Sequence, residues 1–373
     1  MPKRILVLSA SVGAGHLRAA EAVTLALQEL DPTVAVSNVD VLTLTNRPFR
    51  RMYGQAYMDL VARAPHVLGF FYDLLDQPDR RRQRLTLAVE KLNLRSLLKL
   101  VRGEPWDLFV STHFLPAEIL ASLKRKKEVR APQFTVTTDF DTHRLWVNPP
   151  CERYFTATEE GARYLESFGV PEKDVEVSGI PIHPAFSRAL DREGALKALR
   201  LPGDRPILLH MAGGFGMGPV TKIYQSLLTV ETPLTIVAVA GRNEKLKKEL
   251  ERLAVPKRHR AKVLGFTDKM RELLAVSDVV LSKPGGLTVS EVLASGAALA
   301  IVNPTPGQEF RNSDFLLENG AAVKIGNLAT LAFKIERLLR EPARLAAMRE
   351  SARKLGRPRA AYDVARRALD WIP

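Results

Sequence analysis

Short apolar runs alternate with amphipathic stretches along the whole 373-residue chain, and no other feature limits the fold as much. The runs are "RILVLSA" (4–10), "TVAVSNV" (33–39), "DLFVST" (107–112), "QFTVTT" (133–138) and "RYFTAT" (153–158), then "PILLHM" (206–211), "LTIVAVAG" (234–241), "AKVLGF" (261–266), "VVLSK" (279–283) and "ALAIVN" (298–303). Between them lie patterns of helical period, such as Leu17, Ala20, Val23, Leu27 and Leu30. Apolar strands separated by amphipathic helices imply α/β architecture, with parallel sheets covered by helices. The series comes twice, each time opening with a strand and a glycine loop. Two doubly wound domains facing one another across a cleft are therefore expected. The join is placed in "SGIPIHPAFSRALD" (178–191), where two prolines interrupt the periodicity, giving domains 1–185 and 186–373. The last stretch, with Leu345, Met348, Leu355, Ala361, Ala365 and Leu369, reads as terminal helices that pack back on the domains.

A hydrophobic content of 46% supplies a core for each domain. The single cysteine, Cys151, excludes an intramolecular disulfide and thiolate metal sites, and fits a reducing cytoplasm. The apolar run before the first glycines is too short for the core of a signal peptide, and no later run is long enough to span a membrane. The expectation is a soluble protein that at most lies on a membrane. Its net charge of +14 is uneven: residues 186–373 hold 31 basic against 19 acidic side chains, and residues 47–102 hold 12 against 5. That balance calls for an anionic partner. Nucleic acid is disfavoured, since no helix-turn-helix, zinc-finger or RNA-binding signature is present. Within the basic stretch, Leu68, Phe71, Tyr72 and Leu75 share one helical face near Arg50, Arg51, Arg80, Arg81 and Arg82. Such a surface suits an anionic membrane, or else is core flanked by solvated arginines.

Four loops carry chemistry. In "SASVGAGH" (9–16) a strand ends near Ser9, Gly13 and Gly15 allow a tight turn with close backbone approach, and a helix starts at about His16. A histidine in a first helical turn is favoured in its neutral form and has a nitrogen free to accept a proton; the alternative is a ring that only caps or packs. "HMAGGFGMGP" (210–219) sets Gly213, Gly214, Gly216 and Gly218 after a strand, too many for a simple turn, so free amides approaching phosphate explain it better. The spacing matches neither the dinucleotide fingerprint nor the Walker loop. "SKPGGLTVSE" (282–291) places Gly285 and Gly286 before a helix opening at Thr288, with amides and a hydroxyl for a diphosphate and Glu291 for ribose hydroxyls. Thr288 and Glu291 are equally spaced for a capping box. "NPTPGQEFRN" (303–312) offers Gln308, Glu309 and Asn312 to sugar hydroxyls, or is an exposed polar turn.

In chain order, "SVGAGHLRAAEA", "TTDFDTHRLW" (137–146), "RYFTATEE" (153–160), "VSGIPIHPAF" (177–186), "MAGGFGMGP", "KPGGLTVSE" and "TPGQEFRN" resemble the motifs of family 28 glycosyltransferases. The resemblance is to the diacylglycerol branch, monogalactosyldiacylglycerol synthases and processive diacylglycerol glucosyltransferases, and it covers about residues 4–325. It implies a GT-B fold of two facing Rossmann-like domains with an interdomain cleft. It also implies inverting, metal-independent transfer of a hexose from a UDP-sugar to the hydroxyl of diacylglycerol or a glycosyldiacylglycerol. No cofactor is expected beyond the donor substrate. The partners implied are UDP-hexose, the lipid acceptor and an anionic membrane surface, with the protein cytoplasmic and peripheral on the inner face.

Carried over residue by residue, the resemblance gives Gly13, Gly15 and His16 to the acceptor side, with His16 close to the reacting hydroxyl. It gives Gly213, Gly214, Gly216, Gly285, Gly286 and Thr288 to the diphosphate, Phe266 to the uracil, Glu291 to the ribose, and Gln308 with Glu309 to the sugar. Ala14 stands where many relatives have a third glycine. Inversion by single displacement needs a base for the acceptor proton and electrostatic help for departing UDP, and two helix-start amide clusters provide the second without a cation. "DFD" (139–141) looks like an Asp-x-Asp metal motif, but it lies in the family's Thr-Asp-Phe motif, so no metal is expected. Asp139 is then a rival base, or orients His16 or binds the acceptor. Three other functions remain in view: N-acetylglucosamine transfer to a polyprenyl-linked cell-wall intermediate, UDP-sugar 2-epimerisation, and a non-enzymatic membrane-bound UDP-sugar sensor.

Overall fold

The computed structural model describes residues 2–46, 95–213 and 218–372. Contacts divide the chain into two units: residues 1–184 with 306–311 and 357–373, and residues 185–305 with 312–356. The first unit contains β1 (Arg4–Ser9), α1 (Ala14–Leu30), β2 (Ala35–Asp40), α2 (Arg95–Gly103), β3 (Leu108–Ser111), α3 (Phe114–Arg125), β4 (Gln133–Val136), β5 (Arg153–Thr156), α4 (Glu159–Ser167) and β6 (Val175–Val177). The second contains α5 (Arg192–Leu199), β7 (Ile207–Met211), α6 (Val220–Leu228), β8 (Thr235–Val239), α7 (Glu244–Glu251), β9 (Arg260–Leu264), α8 (Met270–Val276), β10 (Val279–Ser282) and α9 (Gly286–Ser295). It continues with β11 (Ala298–Val302), β12 (Ala322–Ile325), α11 (Leu331–Arg340) and α12 (Pro342–Leu355), while α10 (Gln308–Glu318) is shared, its start through Arg311 counting with the first unit and the rest with the second. The final helix, α13 (Ala360–Trp371), belongs to the first unit, so only one of the two terminal helices returns there.

Each unit has a six-stranded parallel sheet, ordered β2-β1-β3-β4-β5-β6 in the first and β12-β11-β10-β7-β8-β9 in the second. In both, the chain leaves its opening strand to one side and later continues on the other. That places a topological switch point between β1 and β3, and another between β7 and β10, where open α/β sheets bind ligands at their carboxyl edge.

Strand side chains alternate between faces, which divides the first core in two. Ile5 and Val7 pack with Ala20, Val23 and Leu27 of α1 and with Ala361, Val364, Ala365 and Ala368 of α13. Leu6 and Leu8 pack with Leu97, Val101, Ile119 and Leu120 of α2 and α3 on the other face. The small residues of α13 let it lie close against α1, so the chain's last helix completes the core begun by its first strand.

Two strands escaped the sequence pattern, and both are sheet edges. β6 is three half-buried residues and β12 has a half-buried centre, so neither shows a continuous apolar run. Gly179, in one of the family-like motifs, has a structural reason: its φ is +86°, and a methyl group there would collide with Arg357 just before α13.

Candidate functional site

At the first switch point α1 begins at Ala14, two residues earlier than expected, and its N-cap, Gly13, makes no side-chain capping bond. The Gly13 φ of 161° is ordinary extended backbone, and a Cβ there would meet nothing within 4 Å. The fold itself does not demand glycine at this position. The space a side chain would fill is left open.

His16 lies in the first turn of α1, with Nδ1 3.2 Å from the Thr112 carbonyl and 2.8 Å from Thr138 Oγ1. A carbonyl only accepts, so the network assigns the ring proton to Nδ1 and the lone pair to Nε2. Thr112 Oγ1 also donates to the His16 carbonyl at 3.0 Å, so the end of β3 grips both backbone and ring. Burial pulls the pKa of His16 down to about 4, against an upward pull from the Thr112 carbonyl. The imidazole is neutral at physiological pH and able to accept a proton. Its ring meets His113 edge-on, centroids 4.5 Å apart, and lies 6.3 Å from Trp146. His113 serves the fold instead. It is buried, its Nδ1 accepts from the Leu115 amide as the N-cap of α3, and burial and His16 hold its pKa well below the usual value.

Asp139, just beyond β4, is 4% exposed. Burial raises its pKa to about 7, the Trp146 side-chain hydrogen bond pulls it down, Asp141 raises it, Arg311 lowers it and Glu309 raises it. Its Oδ1 is buried with no hydrogen-bond partner among the described residues. Asp141 pairs instead with Arg311 at 3.3 Å. The two carboxylates of "DFD" therefore have different environments, and among the described residues no group of three or more His, Cys, Asp or Glu is placed to hold a metal ion.

Sequence reasoning missed three buried hydroxyls at the carboxyl ends of these strands. Ser9 Oγ ends β1, Ser111 Oγ ends β3 and Thr137 Oγ1 follows β4, and all three are buried without a partner among the described residues. A signal was present, because the runs "VLSA", "FVST" and "TVTT" each finish on a small hydroxyl residue or one step beyond it.

At the second switch point the loop after β7 turns through Gly213 (φ +74°) and Gly218 (φ +101°), left-handed conformations that favour glycine. Gly214 and Gly216 lie outside the described residues. After β10, α9 opens at Gly286 with Gly285 as N-cap and no side-chain cap. Thr288 is thus inside the helix, not at its cap, which removes the capping-box explanation of Glu291; that carboxylate is 6% exposed. The first amides of α9 face out from the carboxyl edge uncapped, an arrangement suited to an anion. Asn312 packs inside the fold. It is fully buried and its Nδ2 donates to the Pro284 carbonyl at 3.0 Å, bracing the glycine turn. Gln308 and Glu309 open α10 as expected. Phe266 follows β9, is 60% exposed and has the Arg242 guanidinium 5.1 Å from its ring centroid. An exposed ring with a cation beside it is a ready stacking platform.

Two parallel doubly wound sheets of this order define the GT-B class of glycosyltransferase folds. The crystal structure of Acinetobacter baumannii MurG matches with a TM-score of 0.66 at 17% identity, covering 99% of this chain and 100% of that one. The S. aureus MnaA–UDP co-structure matches at 0.64 and 15%, covering 99% and 98%. The sequence narrows the class. The monogalactosyldiacylglycerol (MGDG) synthase family model matches residues 16–182 and the glycosyltransferase family 28 C-terminal domain matches residues 220–364. The chain belongs to glycosyltransferase family 28. Among its relatives, the processive diacylglycerol beta-glucosyltransferase of Bacillus licheniformis is 28% identical over 355 residues, covering 95% of this chain and 91% of that protein. The Bacillus cereus enzyme of the same name is 29% identical over 369 residues, covering 97% and 92%.

Proposed function

We propose that this glycosyltransferase moves a hexose, glucose in the first instance, from a UDP-sugar to the hydroxyl of diacylglycerol or a glycosyldiacylglycerol, inverting the anomeric centre at an anionic membrane surface. The whole-chain relatives named as diacylglycerol beta-glucosyltransferases support the sugar and the acceptor. The observation that carries the chemistry is His16, a neutral imidazole pinned at Nδ1 and presenting the Nε2 lone pair at a switch point. As the lipid oxygen attacks the anomeric carbon, Nε2 takes its proton. An imidazolium with a pKa of about 4 does not keep that proton, and passes it on once transfer is complete. Asp139 as the base itself is the second reading, favoured by its unpartnered Oδ1 and by a pKa close to working pH.

On the donor side the uncapped amides of Gly285, Gly286 and Thr288, with the loop from Gly213, take the charge of the departing diphosphate, so the reaction runs without a metal ion. Phe266 stacks on uracil, Glu291 accepts from ribose, and Gln308 and Glu309 bind the hexose. Membrane attachment rests on the basic stretch 47–102, of which residues 47–94 lie outside the described part. Among the described residues no helix is long and apolar enough to cross a membrane.

The test supplies UDP-glucose or UDP-galactose with diacylglycerol liposomes in the presence of EDTA, and resolves products by mass. Glycosyldiacylglycerol formed only when lipid is present is the expected result. Conversion of the UDP-sugar in lipid-free solution would replace this reading with the epimerase one.

A further inference from the structure

His16 is held by two oxygens of different kinds. Thr112 contributes a main-chain carbonyl, which any residue at position 112 would supply. Thr138 contributes a side-chain hydroxyl at 2.8 Å, the shorter of the two contacts. Thr138 is buried two residues beyond β4 and immediately before Asp139. The neighbouring hydroxyls of Ser9, Ser111 and Thr137 find no partner among the described residues, whereas that of Thr138 is aimed at the ring.

We propose that Thr138 is the positioning residue for the acceptor-side base: its hydroxyl accepts from the Nδ1–H that the Thr112 carbonyl fixes and holds the ring plane, so that the Nε2 lone pair points at the acceptor oxygen. The inference rests on His16 taking the acceptor proton. A neutral imidazole can place its single proton on either nitrogen, and only one choice leaves Nε2 able to accept. The Thr112 carbonyl opposes a lone pair on Nδ1, and the Thr138 oxygen accepts from the same N–H and fixes the ring plane. When Nε2 gains the acceptor proton, both Nδ1 contacts become charge-assisted and shorten, so they stabilise the transition state more than the ground state. Because neither partner is charged, the ring is oriented without being made strongly basic. That matches its low pKa and lets the proton pass on.

The experiment compares Thr138→Val, which keeps the shape and loses the hydroxyl, with Thr138→Ser, each in the parent and in a His16→Ala background. Expected for Thr138→Val is a fall in kcat of about tenfold with KM for the UDP-sugar within about twofold. Thr138→Ser should recover most of the rate. In the His16→Ala background Thr138→Val should change nothing further, since the group it positions is gone. Spectra of the His16 ring should show the Nδ1–H tautomer in both proteins, with that proton exchanging faster with solvent in Thr138→Val, where one of its two acceptors is gone. Should Thr138→Val not fold, Thr138→Ala and Thr138→Ser carry the same comparison. Parental kcat and unchanged exchange of the ring proton without the hydroxyl, in an enzyme that His16→Ala still inactivates, would overturn the role of Thr138 and leave His16 as base. A His16→Ala enzyme with parental kcat would instead remove the base itself.

Discussion

The two units share a sheet plan and differ in what they set at the switch point. In the first, the carboxyl edge carries ionisable side chains with displaced pKa values: His16 lowered to about 4, Asp139 raised to about 7, and His113 lowered beside them. In the second, the corresponding loops carry glycines and helix-start amides, with Gly213 and Gly218 in left-handed conformations and α9 uncapped at Gly285. Proton transfer needs side chains whose basicity burial can tune, and holding a diphosphate needs main-chain donors with no side chain in the way. Under the proposed reaction one architecture serves both, because the strands position the edge and leave the loops free to differ. The glycines show the same contrast: Gly213 is required by its backbone, whereas Gly13 has extended backbone and open space, so any demand for glycine there comes from what approaches it.

The sharpest way to break this division is His16→Ala. Losing a general base costs about 10²–10⁴-fold in rate, so kcat should fall by that order while UDP affinity, measured by calorimetry, stays within about twofold. A comparable loss of UDP binding would mean that the two units do not divide the work. The complementary change is Gly213→Ala. Forcing a Cβ into the left-handed region costs roughly 1–2 kcal/mol, which should weaken UDP about tenfold by distorting the loop while the pH profile of the remaining activity is unchanged. Glu291→Ala should do likewise and leave α9 intact, because the carboxylate does not cap the helix. UDP affinity untouched by both changes would empty the second switch point of its proposed ligand.

Much of this division was legible in the sequence, for a physical reason. Central parallel strands are buried on both faces, so β1, β3, β7, β8, β10 and β11 are written as continuous apolar runs, and the loops that follow them announce themselves by glycine or histidine. The edge strands β6 and β12 carry no such run, being short and half-buried. Residue types at the site were readable, but their partners were not. That His16 is set by Thr112 and Thr138, 96 and 122 positions away, follows from strand order alone. Local spacing also misled in one place. Thr288 and Glu291 have capping-box spacing, but Gly286 already adopts helical geometry, so the helix starts too early for the box. Asn312 has the chemistry of a sugar reader, but its bond to the Pro284 carbonyl, 28 positions back, could not be read from spacing.

The smallest expected effect concerns what the first unit gives up for its chemistry. Asp139 is protonated in both folded and unfolded states below its ordinary pKa of 3.8. Between there and about 7 the unfolded chain releases its proton while the folded chain, where burial opposes the charge, retains it. Stability contributed by this group is therefore full at low pH and is lost as pH rises to about 7. His16 works in the opposite sense: its pKa drops from 6.5 to about 4 on folding, so its contribution is lost as pH falls through that window. Asp139→Asn keeps a hydrogen-bond acceptor for Trp146 and removes the buried charge. Its Tm should exceed the parent's by about 2–4 °C at pH 8 for each kcal/mol relieved, with the gap closing towards pH 4. The same variant decides between the two bases. If the Asp139 carboxylate takes or receives the proton, parental kcat/KM should fall below about pH 7, and Asp139→Asn should lose that limb along with most of the rate. If His16 acts alone, the limb should lie near pH 4 and survive the substitution. An Asp139→Asn enzyme that is no more stable at pH 8 and turns over at the parental rate would place the cost of this site, and its proton, somewhere other than the buried carboxylate.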